Sequence, residues 1–161
     1  MRDIFALSIV ILSSCNMTNT SNIETIKQDP NEIDAIKEIL TIQQECWNNG
    51  DLDGFMKGYW NSEKLIFTSA THAPAYGWGN TLERYKNSYP TKESMGEFRF
   101  EILDVRLTST TTSNLFGKWE LIREKDHPNG LFYLDLEKFD ENWLITKDST
   151  ISFVINQFSL E

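Results

Sequence analysis

The chain has 161 residues and a formal charge of −9; 40% of its side chains are apolar and 12% aromatic. That length suits one domain with a core of its own, and the apolar content excludes a disordered chain. No run of Lys and Arg occurs in the sequence. Nucleic acid is therefore not an expected partner, since phosphate binding needs clustered positive charge to displace counterions.

The first fifteen residues read as a targeting segment: Arg2, an apolar run from Ile4 to Leu12, then Leu12-Ser13-Ser14-Cys15. The run is too short to span a bilayer. Its close resembles a bacterial lipobox, in which cleavage before Cys15 leaves that thiol lipid-modified. The alternative is a buried N-terminal helix. The resemblance implies a signal peptide over 1–14, a polar tether over 15–28 and a folded domain over 29–161. It also implies a lipid anchor as the sole membrane contact, on a bacterial membrane and facing the periplasm or the cell exterior. With Cys15 blocked, Cys46 has no partner for a disulfide and reads as a small buried hydrophobe. His72 and His127 lie far apart without zinc-ligand spacing, so neither a metal nor a cofactor is expected.

The domain opens at Asp29-Pro30-Asn31-Glu32, where Asp29 can cap, Pro30 suits the first helical position and Glu32 completes a capping box. Ile33, Ile36, Leu40, Gln43 and Trp47 form one helical stripe, which Asn49-Gly50 ends. Asp51 caps a second helix carrying Leu52, Phe55 and Met56 toward Tyr59-Trp60. Leu65-Ile66-Phe67 and Ala75 to Trp78 read as short strands. Asn80 with Glu83 offers another capping box, for a helix of Trp78, Leu82, Tyr85 and Tyr89 that Pro90 stops.

From Phe98 the period becomes two. Phe98, Phe100 and Ile102 share one phase and Leu103, Val105 and Leu107 the other, a slip that predicts a β-bulge. Leu115, Gly117, Trp119 and Leu121 alternate next, and His127-Pro128-Asn129-Gly130 reads as a turn. Phe132, Leu134 and Leu136 mark another strand, Asp140-Glu141-Asn142 turns again, and Trp143 to Ser152 completes the meander. Three helices followed by a long, bent antiparallel sheet define an α+β domain.

Trp47-Asn48-Asn49-Gly50-Asp51, Gly77-Trp78, Leu82, Arg84-Tyr85, Tyr89-Pro90 and Met95-Gly96 recur in an order that resembles the SnoaL-like branch of the nuclear transport factor 2 superfamily. Gly117 with Trp119, Gly130-Leu131-Phe132, and Trp143 with Ile145 and Asp148 extend the resemblance from about Ile33 to Ser149. It implies a cone-shaped α+β fold, three N-terminal helices packed on a curved sheet, with a pocket at the wide end. It does not imply a reaction. Related chains often end in an Asp-His-Thr-Ser run, whereas this one has Asp148-Ser149-Thr150, so no role of that His carries over.

Three functions are open to such a domain. As a binding module it would line its pocket with the amphipathic rings of Trp47, Tyr59, Trp60, Trp78, Tyr85 and Trp119, with Arg84 able to clamp a carboxylate. As an isomerase- or dehydratase-like enzyme it would use Asp148 as general base, placed in phase with Leu144 and Thr146. Tyr59, Tyr76, Tyr85 and Trp78 would then be the hydrogen-bond donors. Pairing of Asp148 with Arg84, or capping of a turn, is the structural alternative to that role. As an interaction module it would form a homodimer through Phe98 or Phe100, Phe116 and Ile122 on the outer sheet face.

Overall fold

The computed structural model describes residues 26–70 and 72–153, so the expected signal segment and Cys15 lie outside the described residues. Helix α1, Pro30–Asn48, begins as the sequence predicts: Asp29 is extended and its side chain accepts from the Asn31 amide. Ile36, Leu40, Gln43 and Trp47 are its buried stripe. Glu32 closes no capping box. It accepts instead from Lys138 Nζ at 2.9 Å and Trp143 Nε1 at 2.7 Å, fastening the first turn of α1 to the sheet.

Gly50, at φ +78°, turns the chain out of α1 in the left-handed region that glycine enters without a Cβ clash. Asp51 then caps α2, Leu52–Phe55, by accepting from the Gly54 amide at 2.7 Å. A 3-10 turn, Met56–Gly58, leads to Tyr59 and Trp60, which meet the last strand at Ile145. Strands β1, Ile66–Ser69, and β2, Ala75–Tyr76, precede α3, Trp78–Ser88. That helix starts at Gly77 and not at the expected Asn80–Glu83 box: Asn80 sits inside its first turn and donates back to the Tyr76 carbonyl. A further turn of helix, α4 (Lys92–Met95), is not among the expected elements and has a capping box of Thr91 and Ser94.

Four eleven-residue strands complete the fold: β3 (Glu97–Leu107), β4 (Thr112–Ile122), β5 (Asn129–Phe139) and β6 (Asn142–Ser152). The sheet order is β2-β1-β6-β5-β4-β3, antiparallel except where β1 runs parallel to β6. The expected turn at Asn129-Gly130 belongs to β5 itself. Residues 123–128 make the connection, closed by the Arg123–Asp126 pair at 2.6 Å. Asp140 and Glu141, both at positive φ, form the tight turn into β6.

Two bulges bend the sheet around the helices. The first falls at Leu103, where the phase slip predicts it, so Val105 and Leu107 return to the core face. The second is on β6: Ile145 and Lys147 pair with adjacent β5 residues, leaving Thr146 as the extra residue. An unbroken alternation from buried Ile145 would turn Asp148 to solvent. The bulge turns it inward, while Leu144 stays on the opposite face from Trp143 and Ile145, so the expected shared phase of Asp148 with Leu144 and Thr146 does not hold.

The outer face also differs from expectation. Phe98 and Phe100 point inward and pack against the core, so they are not part of an exposed patch. The apolar groups outside are Leu103 and Tyr133, each 43% exposed, Ile151 at 53%, and half-buried Phe116 paired with Tyr133.

Candidate functional site

Between the helices and the concave sheet face lies a cavity of about 120 Å³. Helix α1 contributes Leu40, Gln43 and Trp47, α2 contributes Phe55, and α3 with its C-cap contributes Tyr85 and Tyr89. From the sheet come Phe67 on β1, Phe98 on β3, Trp119 and Leu121 on β4, Phe132 and Leu134 on β5, and Asp148 and Thr150 on β6. The wall is an aromatic box. Trp47 touches Phe55, Tyr85 and Tyr89 edge to face, at centroid distances of 5.2, 6.0 and 4.8 Å. Gly117 makes room for Phe132: a Cβ there would meet the Phe132 ring and stand 2.6 Å from the Glu101 carbonyl.

Asp148 is the only residue with a formal charge among the described lining residues, and only 5% of its surface is exposed. Its strand neighbours in register are Phe67 and Leu134. Tyr59 Oη donates to Asp148 Oδ2 at 2.7 Å and Thr150 Oγ1 donates to Oδ1 at 2.8 Å. Tyr59 Oη also lies 3.5 Å from Tyr85 Oη, which extends the chain of hydroxyls to the cavity wall. Burial raises the Asp148 carboxyl from 3.8 to about 6 against the opposing pull of its two donors. Burial, then the Asp148 charge, pushes the Tyr59 and Tyr85 phenols well above their usual value, so both stay protonated donors at neutral pH.

The residues singled out from sequence divide cleanly in space. Trp47, Tyr85, Trp119 and Asp148 come together around the cavity, and Tyr59 reaches it through Asp148. Trp60, Trp78 and Arg84 are not among its lining residues. Trp60 stacks on Phe139 at 5.1 Å, and Trp78 Nε1 donates to the Met56 carbonyl. Arg84 Nη2 donates to the Ala73 carbonyl, and the guanidinium stands 5.7 Å from the Phe67 ring centroid. The hydrogen-bond partners of Asp148 are therefore the hydroxyls of Tyr59 and Thr150, and not the expected alternative, Arg84. Tyr76, a proposed donor, is 60% exposed.

Sequence reasoning missed Thr150 and the rings of Phe55, Phe67, Tyr89, Phe98 and Phe132. Thr150 was within reach, because it lies two residues beyond Asp148 on the same strand face. The phenylalanines carried no local signal that separates a cavity wall from a filled core.

No family model matches the sequence, and no curated protein does. Solved structures do. A nuclear transport factor 2-like protein of unknown function from Shewanella oneidensis MR-1 shares 42% identity over 74% of this chain and 98% of its own, with a TM-score of 0.72. The chain belongs to the nuclear transport factor 2-like family. A ketosteroid isomerase-like protein from Erwinia carotovora atroseptica SCRI1043 shares the fold at 15% identity and TM-score 0.66, covering 78% of this chain and 99% of that one. So does a nuclear transport factor 2-like protein of unknown function from Methylobacillus flagellatus KT, at 14% identity and TM-score 0.62, over 81% and 98%.

Proposed function

We propose that this chain is a lipid-anchored binding domain that takes a small, partly apolar ligand into its aromatic cavity, with the ligand's polar end at Asp148. One observation carries the reading: a mainly aromatic cavity wall holds a single buried, hydrogen-bonded carboxylate. Small-molecule sites have this make-up, an apolar wall with a few fixed polar groups. Benzyl alcohol, titrated while the indole N–H signals are followed by NMR, should shift Trp47 and Trp119 and leave Trp60 in place. Shifts confined to Trp60, or none, reject the cavity. The anchor has its own test: Cys15→Ala should move the protein from membrane to soluble fractions, and continued membrane association rejects it.

A second reading is catalytic. A carboxyl at about 6 beside the protonated phenol of Tyr85 has the parts of a general base and an oxyanion donor for enolisation. Cyclohexanone in deuterated water offers a minimal assay. The wild-type chain should speed α-proton exchange, and Asp148→Asn should reduce that acceleration by about 10²-fold or more. Exchange no faster than in buffer sinks this reading.

A third concerns a second copy of the chain. Leu103, Phe116, Tyr133 and Ile151 give the outer sheet face an apolar strip suited to a twofold homodimer. Sedimentation of the chain, with Tyr133→Lys as control, should show a dimer that the substitution dissociates; a monomeric wild type rejects it.

A further inference from the structure

The cavity fixes the charge of its occupant, an inference that rests on the binding reading above. No cation is hydrogen-bonded to Asp148 among the described residues, and Arg84, over the ring of neighbouring Phe67, donates to the Ala73 carbonyl instead. Both of its hydrogen-bond partners are neutral hydroxyls, and no Lys, Arg or His lines the cavity. Burying an ionised carboxylate without a counter-charge costs several kcal/mol, and proteins ordinarily supply a cation to offset it. Here each carboxylate oxygen holds one donor and keeps a lone pair for another. We propose that the ligand is a small organic cation, an ammonium group on a single ring or short apolar body, whose charge pairs with Asp148.

The surroundings favour this class. Phe67 pairs in register with Asp148, Phe132 with Thr150, and the Tyr85 hydroxyl neighbours that of Tyr59, so aromatic rings lie near the carboxylate, and a cation is attracted to aromatic faces more strongly when water is excluded. A ligand carboxylate or phosphate would meet Asp148 as a like charge. The formal charge of −9 draws cations toward the molecule and repels anions. Volume sets the size: about 120 Å³ is on the scale of a cavity that takes one benzene ring, so a fused multi-ring ligand would not be enclosed.

Three probes of matched shape separate the possibilities: benzylamine, benzyl alcohol and benzoate, each titrated into the full chain at about pH 8 with the Trp47 and Trp119 indole signals as readout. Benzylamine should bind roughly tenfold or more tighter than benzyl alcohol, an advantage of the size expected for a desolvated cation near aromatic faces and a carboxylate. Benzoate should leave the signals unmoved. Asp148→Asn should bring benzylamine down to the affinity of benzyl alcohol.

The wild-type chain provides the same test without a substitution. The groups facing Asp148 are Tyr59 beyond the 3-10 turn, Tyr85 on α3, Thr150 on β6, Phe67 on β1 and Leu134 on β5. Only the Asp148 carboxyl among them changes charge between about pH 8 and pH 5. The benzylamine advantage should disappear over that interval. Benzyl alcohol or benzoate binding as tightly as benzylamine at about pH 8 overturns the cation while leaving the cavity in place. Failure of every probe to move Trp47 and Trp119 overturns both.

Discussion

Asp148 is the residue on which the chemistry turns, and its titration gives a signed prediction. The folded chain holds this carboxyl at about 6 where the ordinary value is 3.8, so the native state binds more protons between those two pH values. Stability therefore falls as pH rises through that window and stays at the lower level above it. The rise corresponds to about 3 kcal/mol against the ionised form. Asp148→Asn removes the charge and keeps an acceptor for Tyr59. It should raise the unfolding free energy near pH 8 by about 1–3 kcal/mol and flatten its change between pH 4 and 6, checked by urea denaturation across pH. A buried carboxylate that destabilises the fold where it is ionised and faces a cavity is what the proposed binding role requires.

Among the elements, the two long hairpins carry the site and α1 holds them to the helices. Glu32 binds Lys138 and the Trp143 indole together, one from each strand of the β5–β6 hairpin. Those two donors, Lys138 first, hold the Glu32 carboxyl below its usual 4.5. The stability it contributes is complete above 4.5 and is lost as pH falls through the lowered folded value. Glu32→Gln should lower Tm near pH 7 and draw closer to wild type as pH falls below the ordinary 4.5 in a thermal scan. On β4, Gly117 gives Phe132 its place in the cavity wall. Gly117→Ala drives a methyl group into that ring and the Glu101 carbonyl, a cost of about 1–3 kcal/mol visible as a lower urea midpoint.

In the molecule as a whole, β3 is an open sheet edge, and the two ends of the α1 segment close it by the same device. The Phe98 amide donates to Asn48 Oδ1 at 2.7 Å while Asn48 Nδ2 donates to the Phe98 carbonyl at 3.0 Å. Gln28 makes the equivalent pair with Leu107, at 2.9 and 3.0 Å. Each side-chain amide stands in for a neighbouring strand, satisfying backbone groups that would otherwise invite another chain. Gln28 and Ile26, which the sequence places in the tether, are thus docked on the domain. Gln28→Ala and Asn48→Ala should each cost about 1 kcal/mol and speed hydrogen exchange at the amides of Leu107 and Phe98 respectively. Unchanged exchange at those two amides would remove the edge-closing role.

The sequence by itself determined the helix α1 from cap to stop, the cap of α2, the bulge at Leu103 and the α+β class. These are legible because each is written in neighbouring residues: a capping side chain, a 3.6-residue stripe, a slip in a two-residue period. It also named Trp47, Tyr85, Trp119 and Asp148. What only the tertiary structure decided is which rings meet at the cavity and which way Asp148 points. The inward turn of Asp148 depends on the bulge at Thr146, and apolar Leu144 on the opposite face hides that bulge from any reading of period. Trp60 and Trp78 have the same chemistry as Trp47, but their distant partners, Phe139 and the Met56 carbonyl, hold them elsewhere. Side-chain chemistry is local; the convergence of eight elements on one cavity is a property of the folded sheet and helices together.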